Sequence, residues 1–201
     1  MNSDNHIVSE SRAFVETLLE ERLAPWAAYH DYQHTDETYR ASREIGQACH
    51  LGPDELEIVL LAALFHDTGY IETVRGHEER SVQIATDFLR KKNYPEEKLR
   101  AVAGCIMATT VPQRPKNILE QVVCDADMLY IGREEFFHKN GLLKSEQEGR
   151  EGTSVDDIEW LRRSLAFLES QQYHTGYCRG KLSAGLRENI DILRKQVNSR
   201  K

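Results

Sequence analysis

Apolar residues recur along most of this chain at three- and four-residue spacing rather than in strict alternation, which is the period of helices with one face turned inward. Val15, Leu18, Leu19 and Leu23 mark such a face over residues 8–23, and Pro25 stops it. A second helix is predicted from about Thr35 to Cys49, closed by Leu51-Gly52-Pro53. The third differs in kind. From Leu56 through the unbroken run Ile58–Phe65 it is apolar nearly all round, as expected of a helix in the middle of a bundle, and Gly69 ends it. Further helices are predicted over 78–92, 96–107, 118–131, 155–171 and 173–197. Gly132, Gly141, Gly149 and Gly152 punctuate a more polar segment read as short helix and loop. The expected fold class is all-α.

Composition narrows the setting. With 201 residues the chain is long enough for one domain and short for two, and neither a repeat nor a Gly/Ser-rich linker interrupts it. Residues 1–201 are therefore expected to form a single domain, with a chemistry-bearing core at about 26–131 and C-terminal helices over 153–197 packing on it. The net charge is −7, which argues against a basic surface for polynucleotides. Mean hydropathy is −0.59, and the longest apolar run falls far short of the ~20 residues of a membrane span. The opening MNSDNHIVSE has neither a cationic start nor an apolar core, so no signal peptide and a cytoplasmic setting without membrane contact are expected. Cys49, Cys105, Cys124 and Cys178 form no CxxC pair, and reduced thiols are expected. Oligomeric state is left open, a homo-oligomer included.

The chemistry concentrates where an ionisable pair, His66-Asp67, ends the most hydrophobic helix in LAALFHDTGY. Unpaired, such a pair costs several kcal/mol to bury. At a helix terminus the two side chains can converge on one point, and imidazole with carboxylate suits a divalent transition metal. The competing account is a helix-end histidine favoured by the dipole beside a capping aspartate. Candidate partners stand on other helices: His34 in YHDYQHT, and Asp125 and Asp127, which interrupt the apolar segment VVCDADMLY. Their spacing alone does not decide between Asp125 and Asp127.

The segments YHDYQHT, LLAALFHDTGY and CDADML, in that order, resemble the HD-domain superfamily of metal-dependent phosphohydrolases, whose pattern is H…HD…D on a helical bundle. The resemblance implies an HD-domain helical bundle with His34, His66, Asp67 and Asp127 as metal ligands, Asp67 as the catalytic carboxylate and Asp125 as a supporting one behind them. It also implies hydrolysis of a phosphate ester, anhydride or diester on a small phosphorylated substrate, a nucleotide foremost, by metal-activated water. One ion of manganese, iron, cobalt, nickel or zinc would serve. A second metal is not expected, because Thr109 stands where two-metal members carry a histidine in an I-x-x-H element. His77, Arg80, Thr109, Arg114 and Lys116 are candidate contacts for substrate phosphate. His30 and His174, beside tyrosines, are read as packing or surface residues.

The sequence carries no GxSxG, Walker A, HExxH or GxGxxG motif. The alternative to an enzyme is a non-catalytic HD-type sensor of nucleotide or metal, or an interaction protein. In that case the cationic C-terminal segment, with Arg179, Lys181, Arg187, Arg194 and Lys195, would meet a partner.

Overall fold

The computed structural model describes residues 6–200. Among them are nine α-helices and no strand: α1 His6–Arg22, α2 Tyr32–Ala48, α3 Pro53–Phe65, α4 His77–Lys91, α5 Glu96–Ala108, α6 Ile118–Asp127, α7 Phe136–Glu151, α8 Asp157–Ser170 and α9 Gly176–Ser199. Two short 3-10 turns, Thr68–Ile71 and Leu129–Gly132, follow α3 and α6. No helix of the described residues is long and apolar enough to cross a membrane. The described residues divide into two compact units, one running to Ala24 and again over His30–Asp127, the other comprising Pro25–Tyr29 and the residues from Met128 onward.

The first unit is built around α3. Gly52-Pro53 opens it: proline at the first position gives up an N–H that has no helical partner anyway, and the Gly52 N–H donates to Glu55 Oε2 at 2.9 Å. Every residue from Glu57 to Phe65 is buried, and α1, α2, α4, α5 and α6 all pack against the helix. Each large apolar side chain enclosed this way contributes roughly 1.5–3 kcal/mol. The one acid in the stretch, Glu57, accepts hydrogen bonds from the Tyr94 hydroxyl at 2.8 Å and Lys98 Nζ at 3.1 Å. Phe65 meets Phe14 of α1 and Phe88 of α4, and those two rings stack at 4.5 Å.

Helix α2 begins three residues before the expected Thr35, because Asp31 caps it and accepts from the His34 N–H at 2.9 Å. That cap draws His34 into the first turn. Helix α6 ends at Asp127 rather than running on to Ile131, so Asp127 stands at a helix end and Ile131 in the turn beyond it. The turn after α3 presses on the start of α4 backbone to backbone. A Cβ at Gly69 would lie 2.1 Å from the His77 carbonyl oxygen, and the Gly69 N–H donates to Ser81 Oγ at 2.8 Å.

The second unit corrects the expectation of short helix and loop between Gly132 and Gly152: α7 runs unbroken for 16 residues through Gly141 and Gly149. Phe136 is buried at its start, and Glu146 accepts from the Tyr29 N–H at 2.9 Å. Trp26 packs so closely on Gly149 that a Cβ there would meet its own at 2.8 Å. The turn Leu129–Gly132 touches α9 through main chain, since a Cβ at Gly185 would lie 2.2 Å from the Gly132 oxygen, and buried Asn189 donates to the carbonyls of Ile131 and Arg133. Part of the cationic charge on α9 is met locally, Arg194 by Glu169 and Asp191.

Two alanine substitutions should separate close packing from helix propensity. Gly69→Ala forces backbone apart and should cost about 1–3 kcal/mol in urea unfolding. Gly141→Ala, where a Cβ meets nothing within 4 Å, should stabilise by about 0.5–1 kcal/mol. The opposite ordering would contradict the assigned packing.

Candidate metal centre

Three elements of the first unit bring the predicted residues together. The first turn of α2 supplies His34, the end of α3 supplies His66 and Asp67, and the end of α6 supplies Asp127. The His66 Nδ1–H donates to the Ala63 carbonyl at 2.8 Å, which turns Nε2 toward the cluster. Thr68 ties back to the Phe65 carbonyl at 2.8 Å, tightening the bend that carries Asp67 off the helix.

His34, His66 and Asp127 offer ligand atoms that all lie within 4.8 Å of one another, a group that could hold a metal ion. His34 Nε2 is 3.3 Å from His66 Nε2 and 3.3 Å from Asp127 Oδ1. Asp67 lies outside that mutually close trio but touches both imidazoles, its Oδ2 standing 3.3 Å from His34 Nε2 and 3.1 Å from His66 Nε2. Its other oxygen, Oδ1, faces His77 Nε2 at 3.3 Å. His34, His66 and Asp67 are buried, whereas the Asp127 and His77 side chains keep 13% and 17% of their surface, so the cluster opens to solvent on their side.

Electrostatics couples these groups. Burial alone would lower the histidine pKa values, yet the carboxylates of Asp127 and Asp67 outweigh it and raise His34, and raise His66 further. Burial pulls Asp67 and Asp127 the other way, but the imidazoles hold Asp67 well below its ordinary range and Asp127 at about 2. His77 is raised against its own burial by Asp67.

The other candidates fall elsewhere. Asp125 is fully buried in α6, outside the trio. The Thr109 hydroxyl is committed to the Ile106 carbonyl at 2.8 Å, and the Arg80 guanidinium is engaged with Glu72 and Gln83. Arg114 and Lys116 line a separate groove beside the α5–α6 loop. Two contacts have partners that the sequence did not specify. Gln113 Nε2 reaches Asp127 Oδ2 at 3.4 Å, and His30 stacks on Tyr70 at 4.0 Å, with Tyr70 in turn 4.4 Å from the His77 ring. The signal for His30 was its place four residues before His34; for Gln113 it was its amide in the loop that leads into the helix bearing Asp127.

Residues 31–130 match the family model described as HD domain. The chain carries an HD domain. The HD family is typically one of metal-dependent hydrolases, and HD domains bind divalent metals. Solved structures share the fold at low identity. Bacillus subtilis YpgQ in complex with ADP is 18% identical, with a TM-score of 0.63 over 96% of this chain and 94% of that one. The Lin1889 protein of Listeria innocua is likewise 18% identical, with a TM-score of 0.63 over 96% and 92%. A predicted HD superfamily hydrolase from an uncultured Thermotogales bacterium is 16% identical, with a TM-score of 0.59 over the same shares. None of the curated proteins matches the chain in sequence.

The raised histidines of this HD cluster stabilise the ion-free fold fully below their ordinary 6.5 and lose that contribution as pH climbs through their folded values. The lowered aspartates contribute above their ordinary 3.8 and lose it only in acid. Chelator-treated protein should therefore have its highest Tm near about pH 5–6 and lose Tm toward about pH 9, with His66→Gln flattening the slope. A Tm that climbs steadily from pH 6 to 9 would contradict this assignment.

Proposed function

We propose that the protein is a metal-dependent phosphohydrolase acting on a small phosphorylated substrate, a nucleotide foremost. The observation that carries this reading is the trio of buried His34 and His66 with partly exposed Asp127, ligand atoms within 4.8 Å of one another, with Asp67 against both histidines and the cluster open on one side. The donor set fits a divalent transition ion: two imidazole nitrogens face each other, His66 by virtue of its Nδ1 anchor, beside carboxylates that stay ionised at neutral pH.

His34, His66, Asp67 and Asp127 would hold the ion. When bound, it supplies Lewis-acid polarisation of the phosphoryl group and a nucleophile at neutral pH. Asp67 is the catalytic carboxylate of this reading. Strongly acidic and therefore ionised, it accepts a hydrogen bond from the attacking water and orients it, while its second oxygen holds His77 at the edge of the cluster. His77, partly exposed and raised in pKa by Asp67, stands at the edge of the cluster where substrate phosphate would enter. A single ion is favoured over two because Thr109, in place of a further histidine, spends its hydroxyl on the helix backbone. YpgQ was crystallised with ADP, which supports a nucleotide as the class to try first.

The test is chromatography of products from a pool of mono-, di-, tri- and cyclic nucleotides, using protein reconstituted separately with manganese, iron, cobalt, nickel and zinc. Metal-dependent product is expected, abolished in Asp67→Ala. His66→Ala and Asp127→Ala should lose both product and bound metal while keeping the wild-type circular dichroism spectrum. Metal-loaded protein that binds nucleotides and releases no product would overturn the enzyme reading in favour of a sensor.

A further inference from the structure

Among the described residues the exposed large apolar side chains are Met107, Val111 and Ile118, at 37%, 49% and 38% of their surface, and all three sit on or beside the loop joining α5 to α6. Met107 and Val111, with Pro112, line a groove of about 400 Å³ together with Arg114, Lys116 and Glu120. The volume lies within the roughly 300–1,000 Å³ of small-molecule sites. Arg114 and Lys116 meet no carboxylate among the described residues. Glu120 is buried and spends both oxygens locally, one on the Lys116 N–H at 2.5 Å and one on Asn117 Nδ2 at 2.9 Å. The uncommitted charge of the groove is therefore positive, on a chain whose net charge is −7.

The groove is tied to the metal centre through one residue. Pro112 and Arg114, on its wall, flank Gln113, whose amide donates to Asp127 Oδ2 and to the Cys124 carbonyl, each at 3.4 Å. Neighbouring Cα atoms stand about 3.8 Å apart, so the wall lies one residue from a side chain that touches the cluster.

We infer that this groove is the nucleotide-binding subsite, with the base on Met107, Val111 and Pro112 and a phosphate on Arg114 and Lys116. The inference rests on the proposed nucleotide substrate. The ligand it fits is amphipathic: a thioether and two aliphatic side chains suit the face of a flat ring, and two cations lining the same groove suit a phosphate oxyanion. A purely polar anion would leave Met107 and Val111 uncovered, and a purely apolar ligand would leave both cations unpaired.

Calorimetric titration of manganese-loaded full-length protein with ADP tests this. Arg114→Ala/Lys116→Ala and, separately, Met107→Glu should each weaken binding at least about tenfold with bound metal unchanged, while Lys91→Ala, on the exposed face of α4, leaves it as in wild type. ADP affinity of the double variant within about twofold of wild type overturns the assignment, as does wild-type protein that takes up no ADP at millimolar concentration. The two proposals fail separately. Groove-dependent ADP binding without hydrolysis of any nucleotide removes the enzyme and keeps the subsite, whereas hydrolysis with ADP binding indifferent to the groove removes the subsite and keeps the enzyme.

Discussion

The structure turns on the burial of ionisable groups at the end of a helix that has no polar face. No side chain along α3 from Ile58 to Phe65 can answer the charge of His66 or Asp67, and leaving either unpaired would cost several kcal/mol. Their partners arrive from α2 and α6, each of which ends or begins where it does so that one side chain reaches the same point. Local devices in the first unit read as service to that requirement: the Asp31 cap that draws His34 into the first turn, the Ala63 carbonyl that orients His66, and the glycine that lets α4 close on the turn after α3.

The same groups illustrate how opposing terms settle charge in an interior. Burial alone would neutralise all four, pushing the imidazoles down and the carboxylates up. Because each imidazole lies near both carboxylates, that attraction outweighs burial and the repulsion between the two histidines, and each group is driven further into its charged form. An ion entering the trio competes with protons for the same nitrogens, so occupancy and acidity are linked.

Much of this was legible in the sequence. The period of apolar residues marked most of the helices, the all-apolar run marked the central one, and a charged pair at its end marked the place where chemistry had to be. Helix ends were less legible, because caps and tertiary contacts set them: α2 starts early on Asp31, and α6 stops at Asp127 ahead of a 3-10 turn that meets α9 through main chain. Segment 132–152 misled because glycine normally punctuates a helix, whereas here Gly149 makes room for Trp26 within an unbroken one. The partners of Gln113 and His30 were legible only in outline, since both depend on how loops return to the cluster, which no local spacing encodes.

The loop between α5 and α6 stands in a different evolutionary position from the helices it joins. Each side chain of α3 is enclosed by several neighbours, so replacing one obliges others to change with it. Met107, Val111, Arg114 and Lys116 project from the bundle with few dependants. Descendants of this chain can therefore alter that loop one residue at a time, exploring new ligands while the buried cluster beside it is inherited intact.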